Sequence, residues 1–311
     1  MYIYVHTLLD ESLRKQLRSA LPTEHHLYFR SEKDSDNELV EVFNRADMML
    51  GNPPLEWFQS PPANLQFWQL DSAGFDKYQG LELNARVANM GDWFARPCAE
   101  TIVGGILALY RGVDVLTLLR QRKEWIGSGL RPYLGTLYRQ KVIVLGSGTI
   151  GTAVRDILEG FRCRVLTLAR TSPSADLHSR EEFLSELSDT DLVVNTLPGT
   201  VHHFVDREVL TTMRQGSVYA NVGRGSTTDE RALIEVLQSG HLSGAVLDVT
   251  EIEPLPVESE LWSLPNVVLT QHTGGGQVKE DDGKVELFLH NFQKLQRDHL
   301  LDNEVDLRRG Y

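Results

Sequence analysis

The chain has 311 residues, 41% of them hydrophobic and 24% charged, and a formal net charge of −12. That length predicts about two domains, each able to bury its own core. The acidic balance, with no long Lys/Arg run, argues against nucleic acid or an anionic membrane as a partner. The two cysteines, Cys98 and Cys163, make neither a disulfide framework nor a metal knot, and Cys163 reads as core within an apolar strand.

Tyr2 to His6 reads as a strand and Leu8 to Leu21 as a helix with apolar residues at helical spacing. Because that first apolar stretch is short and acids follow at once, it lacks a signal-peptide layout. A strand is expected at His25 to Arg30, a helix at Glu38 to Asn44 and a strand at Ala46 to Leu50. Gly51-Asn52-Pro53-Pro54 forces a loop. Leu65 to Leu70 is another strand, closed by the turn Asp71-Ser72-Ala73-Gly74, and Arg86 to Asn89 is a short strand leading out. Alternating strands and helices indicate a small α/β domain. Between Pro97 and Arg120 the pattern is one or two long helices. Gly104, Gly105 and Ala108 are small enough for close helix contact, either within the domain or across a subunit interface. The nearly apolar run 101–110 is too short for a bilayer, which needs about 20 residues. A soluble cytoplasmic protein is expected.

From Lys141 a second α/β series begins with KVIVLGSGTIG. The apolar run suits a buried parallel strand, and Gly146-x-Gly148-x-x-Gly151 follows it and opens a helix that Gly160 is placed to stop. Strand, glycine turn and helix in that order make a pyrophosphate site. Gly146 allows the tight turn, Gly148 lets backbone approach phosphate, and Gly151 lets helix and strand pack, with Thr149 and Ile150 at the helix N-terminus facing the anion. Further strands are expected at Arg164–Leu168, Leu192–Asn195, Ser217–Asn221, Gly244–Val249 and Val267–Thr270, with a last helix at about Val278 to Gln296. This is a doubly wound sheet, whose ligands sit beyond the C-terminal strand ends.

In NAD-binding sheets an acid about 20 positions past the glycines accepts the ribose hydroxyls. Here the second strand ends in Leu168-Ala169-Arg170-Thr171-Ser172, with no carboxylate. Arg170 can pair with a 2′-phosphate, and Thr171 and Ser172 can donate to it. NADPH is therefore the preferred cofactor, with NADH possible.

Three later strand ends carry a cation, a carboxylate and an imidazole. Val222-Gly223-Arg224-Gly225 follows one strand, Asp248 ends the next with Glu253 in the loop beyond, and Gln271-His272-Thr273-Gly274 follows a third. A guanidinium and an imidazolium can stabilise charge growing on a carbonyl oxygen during hydride addition, and a carboxylate beside the imidazole favours its charged form. No metal is needed for this chemistry. His202-His203 and His25-His26 lack partners at metal-ligand spacing and read as solvated surface. The glycines beside Arg224 leave room for a substrate.

VLGSGTIG, NVGRG, LDVTEIEPLP, LWSLPNVVLTQH and the Arg–Glu–His order resemble the D-isomer-specific 2-hydroxyacid dehydrogenases over the whole chain. ARTS and the ending VDLRRGY are most similar to the bacterial glyoxylate/hydroxypyruvate reductases of the A type. The resemblance implies an α/β protein of two Rossmann-like or flavodoxin-like domains, doubly wound parallel sheets with a cleft between them. Residues 1–92 and 283–311 would form the substrate domain and 93–282 the dinucleotide-binding domain. It implies that Arg224 binds the substrate carboxylate and polarises its carbonyl, that His272 is the general acid, and that Glu253 pairs with His272. Asp248 would contact the nicotinamide end. Ser72-Ala73-Gly74 would cradle the substrate carboxylate, and Leu197, Pro198, Val222 and Gly223 would line the cofactor. One position departs: the family usually has Pro immediately before the histidine, where this chain has Gln271. The expected activity is NADPH-dependent reduction of glyoxylate or hydroxypyruvate by a homodimer. The alternatives are a dehydrogenase for another small 2-hydroxyacid, such as phosphoglycerate, or a dinucleotide-sensing binding protein like the C-terminal-binding corepressors.

Overall fold

The computed structural model describes residues 1–308, so the final three residues of the VDLRRGY ending lie outside the described residues. The chain forms two compact units, one from Met1–Trp93 and the chain from Gln277 on, the other from Phe94–Gly276.

The first unit begins with β1 (Tyr2–Val5), α1 (Glu11–Ala20), β2 (His26–Phe29), α2 (Asp36–Asn44), β3 (Met48–Leu50), β4 (Phe67–Gln69) and β5 (Arg86–Ala88). The two helix starts differ from those the apolar spacing predicts, and caps explain both. The Asp10 carboxylate accepts from Leu13 N, so α1 begins after it rather than at Leu8. Ser35 and Glu38 form a reciprocal capping box, so α2 begins before Glu38. The strands are all parallel, in the order β2-β1-β3-β4-β5. Alternate residues feed two cores: Ile3 and Val5 pack with Leu13 and Leu17 of α1, and Tyr4 packs with Leu39 and Phe43 of α2.

The second unit holds α3 (Ala95–Arg111), α4 (Val113–Arg122), β6 (Lys141–Leu145), α5 (Thr149–Gly160), β7 (Arg164–Leu168), α6 (Arg180–Glu186), β8 (Leu192–Asn195), α7 (Arg207–Thr212), β9 (Val218–Asn221), α8 (Glu230–Gln238), β10 (Gly244–Leu247) and β11 (Val267–Leu269). The helical stretch after Pro97 is two helices, broken at Gly112, which is left-handed at φ +62°. A Cβ at Gly105 would stand 2.5 Å from Val246, so this glycine serves packing of α3 on the sheet, whereas Gly104 faces open space. Every residue of β6 is buried, Val142 and Val144 against α3 and α5, Ile143 and Leu145 against the α6–α8 side. A sheet covered on both faces requires such a continuous apolar run. The parallel order is β11-β10-β9-β8-β6-β7.

Gly160 is not the stop of α5. It is the last helical residue, and Arg162 takes the left-handed position at φ +59°. Arg162 N donates to Glu159 O and Cys163 N to Leu158 O, which satisfies the last carbonyls. Cys163 is core as expected, but it lies between α5 and β7 rather than in the strand. The last helix, α9 (Glu280–Gln296), belongs to the first unit, where Val285, Phe288 and Phe292 join its core. The return crossing therefore falls before α9, not at 283 within it. Among the described residues no single helix is long and apolar enough to cross a membrane.

Candidate active site

Register decides which loops meet in the second unit. Leu145 pairs with Asn195, Asn195 with Asn221, Asn221 with Leu247, and Leu247 with Leu269. Five strands thus end in one row, and the loops starting at Gly146, Thr196, Val222, Asp248 and Thr270 leave the same edge side by side. The strand order reverses at β6, between β7 and β8, which is where doubly wound sheets bind ligands.

At that point Gly146 has φ +102°, a conformation glycine takes without strain. A Cβ on Gly151 would stand 2.1 Å from Gly146 O, so the helix can close on the turn only with glycine there. Gly148 is the N-cap of α5 and faces open space, and no side chain caps this helix. The α1 and α2 N-termini, by contrast, are capped by Asp10 and Ser35. The leading N–H groups at Thr149 and Ile150 therefore have neither an intrahelical partner nor a side-chain cap, the arrangement a pyrophosphate needs. The residues present fit a dinucleotide. At the end of β7, Arg170 and Thr171 are exposed and Ser172 Oγ lies 3.0 Å from Ser174 Oγ. Asp176, the carboxylate that comes back to this strand, accepts from Thr167 N at 2.8 Å. His178, which spacing did not reveal, places Nδ1 3.0 Å from Ala169 O.

Asn195 and Asn221 end adjacent strands and turn both following loops in the same way. The Asn195 amide oxygen accepts from Leu197 N and that of Asn221 from Gly223 N, both at 3.0 Å. Asn221 Nδ2 also donates to Arg224 O. Arg224 is half-buried in extended backbone, and its Nη1 donates to Gly223 O at 2.9 Å. The flanking glycines do not make room for a ligand. A Cβ at Gly223 would stand 2.5 Å from Leu197 O, and one at Gly225 1.8 Å from Thr250 O. They are glycines because neighbouring strand-end loops press against the backbone there. This close packing brings Leu197 and Pro198 beside Val222 and Gly223.

His272 Nδ1 lies 2.6 Å from Glu253 Oε2, and Glu253 Oε1 accepts from Thr250 N at 3.0 Å. Gln271 and His272 both stand in the left-handed region at φ +55°. Proline, fixed near −65°, cannot adopt that angle, so the departure at Gln271 goes with a backbone that excludes the residue usual in the family. Two successive non-glycine residues there cost roughly 1–2 kcal/mol each. Asp248 holds them. It is buried, its carboxylate accepts from Thr270 Oγ1 at 2.6 Å and from Thr273 N and Gly274 N at 3.1 Å, and its carbonyl accepts from His272 N at 2.5 Å. The anchoring role of Asp248 was not visible in sequence, because its partners come from the next strand's loop. Cys98, near the Asp248 charge, is no thiolate: burial first, then that charge, pushes its thiol up to about 11.

In the first unit, Ser72, Ala73 and Gly74 form a half-buried turn after β4. Asn89 Nδ2 donates to Ala73 O at 2.6 Å, Met90 N to Ser72 O, and Ser72 Oγ to Gly74 O at 2.7 Å. The turn's carbonyls are thus held from within. No acceptor for the three backbone N–H groups is found among the described residues. That is the form of an anion cradle.

The expectation that His202-His203 lack a partner is corrected. His203 Nε2 lies 2.7 Å from Glu251 Oε1, a residue delivered by another strand-end loop. His25 is half-buried edge-on to Phe292, and His26 stacks on Tyr2.

Residues 103–274 match the family model described as D-isomer specific 2-hydroxyacid dehydrogenase, NAD binding domain. A glyoxylate/hydroxypyruvate reductase B from Serratia proteamaculans is 31% identical over 302 residues, 93% of this chain and 92% of the relative. A glyoxylate/hydroxypyruvate reductase A HPR2 from Arabidopsis thaliana is 32% identical over 74% of this chain and 75% of its own. Among solved structures, a D-isomer specific 2-hydroxyacid dehydrogenase from Xanthobacter autotrophicus Py2, in complex with NADPH and MES, superposes with a TM-score of 0.80 at 24% identity, covering 100% of this chain and 99% of that one.

Proposed function

Because this chain belongs to the D-isomer specific 2-hydroxyacid dehydrogenase family, and is thereby an NAD(P)-dependent oxidoreductase, we propose that it reduces glyoxylate and hydroxypyruvate to glycolate and D-glycerate with NADPH. The observation that carries this reading is the His272–Glu253 pair, whose Glu253 sits on the loop next to the one that bears Arg224. The bound nicotinamide supplies the hydride. Glu253 occupies Nδ1 of His272, which leaves Nε2 to give its proton to the substrate's carbonyl oxygen. The Arg224 guanidinium engages the planar carboxylate and the carbonyl together, and holds charge as it grows on oxygen. In the first unit, the backbone N–H groups of Ser72, Ala73 and Gly74 suit a carboxylate. The assay is loss of NADPH absorbance with each ketoacid. No turnover of either, with turnover of another small 2-ketoacid, would move the substrate assignment and leave the chemistry standing.

The preference for NADPH rests on Ala169 standing where a ribose-binding acid would, followed by exposed Arg170. Replacing Ala169 by Asp and Arg170 by Ala together should shift the NADPH/NADH ratio of kcat/KM towards NADH by about tenfold or more, the worth of one charge-assisted hydrogen bond. An unchanged ratio, or a parent that prefers NADH, removes the assignment.

A homodimer is supported by α4 and the segment after it. No residue of α4 is buried, and Val113, Leu116, Leu118, Trp125 and Tyr133 are exposed, Trp125 to 95%. Such a concentration of exposed apolar side chains marks an interaction surface. Sedimentation should give twice the chain mass for the parent and a monomer for Leu116→Glu/Leu118→Glu. A monomeric parent ends the proposal.

A further inference from the structure

We propose that His202, His203 and Glu251 form a site for a divalent transition cation of the zinc class. Their ligand atoms all lie within 4.8 Å of one another, so small rotations of the exposed His202 and Glu251 and the half-buried His203 bring them to one ion. The two imidazole rings are 3.9 Å apart, and His203 Nε2 already lies 2.7 Å from Glu251 Oε1. Two imidazoles and one carboxylate suit zinc, whereas magnesium and calcium take all-oxygen sets. Three protein ligands leave a fourth position for water.

The backbone under these side chains is held in place. His203 N donates to Ser226 O and Val205 N to Thr227 O, which fastens the histidine segment to the chain just past Arg224. Glu251 N donates to Glu230 Oε2 at 2.9 Å, which fastens the opposite ligand. An ion here would tie the loop after β8 to the loop after β10, which also carries Glu253. Neither histidine belongs to the proposed reaction machinery, so the site is separate from the one that turns over substrate.

The test is titration of the full-length, tag-free protein with Zn²⁺ alone, by calorimetry and by competition with a chromophoric chelator. The parent should bind one equivalent in the micromolar range or tighter. His202→Ala and Glu251→Gln should each weaken that binding at least about tenfold, since each removes a ligand. His203 has φ +46°, so His203→Asn is the variant used there, because asparagine tolerates that backbone. It should lose binding by the same factor with an unchanged melting temperature in the absence of metal. His272→Gln should bind Zn²⁺ as the parent does. No stoichiometric binding by the parent, or binding that survives His203→Asn, overturns the proposal, as does loss of binding in His272→Gln instead.

Discussion

His272→Gln should cut kcat for hydroxypyruvate reduction by at least about 10²-fold and leave NADPH titration unchanged. Glutamine keeps a polar group of similar reach at this position but has no proton to give at neutral pH. The loop itself should survive, because Asp248 anchors it through Thr270, Thr273, Gly274 and the backbone N–H of residue 272, none of which is altered by the change of side chain. A fall in kcat with intact cofactor binding therefore reads proton transfer rather than collapse of the site. Single-turnover rates with preloaded NADPH separate chemistry from product release. Near-parental turnover across the pH range would mean that the proton comes from elsewhere.

Arg224→Lys should lower both kcat and kcat/KM for hydroxypyruvate by about tenfold or more, although the charge is kept. A guanidinium presents a rigid planar fork, and in this chain the bond from Nη1 to Gly223 O orients that fork. An ammonium is a point charge on a flexible stem and cannot engage carboxylate and carbonyl in one plane. Because negative charge on the carbonyl oxygen grows towards the transition state, the loss appears in kcat and not in KM alone. Arg224→Ala should fall further, by roughly 10²–10³-fold, as expected when a group that stabilises the oxyanion is removed. NADPH affinity should hold in both variants, since the phosphates are assigned to the glycine turn and the 2′-phosphate to Arg170. Steady-state kinetics beside a fluorescence titration of NADPH checks both halves. Parental kcat/KM in Arg224→Lys, or loss of NADPH binding instead, would show that Arg224 does not clamp the carboxylate.

The sequence by itself determined the parallel α/β architecture and the positions of the candidate site residues at its strand ends. Both are written in short contiguous stretches. An apolar run, a glycine turn and an amphipathic helix follow one another from Lys141 to Gly160. Arg224, Glu253 and His272 each follow a strand that turn residues close. Helix caps were equally local, and the Ser35/Glu38 capping box was readable at its spacing, though apolar periodicity alone placed that helix start too late. What lay beyond such stretches was decided by sheet order and register. Asn195 and Asn221 become neighbours only because β8 and β9 pair in that register. Gly223 and Gly225 are required by the backbones of Leu197 and Thr250, which are distant in the chain. The buried Asp248 became the anchor of the His272 loop, and Gln271 the residue of a left-handed step, through bonds from the residue just past β10 to the loop after β11. The meeting of His203 with Glu251 has the same origin. Local propensity acts within a few residues along the chain, whereas contacts between strand-end loops exist only once the strands have paired, and no spacing in the sequence encodes which loops will then be neighbours.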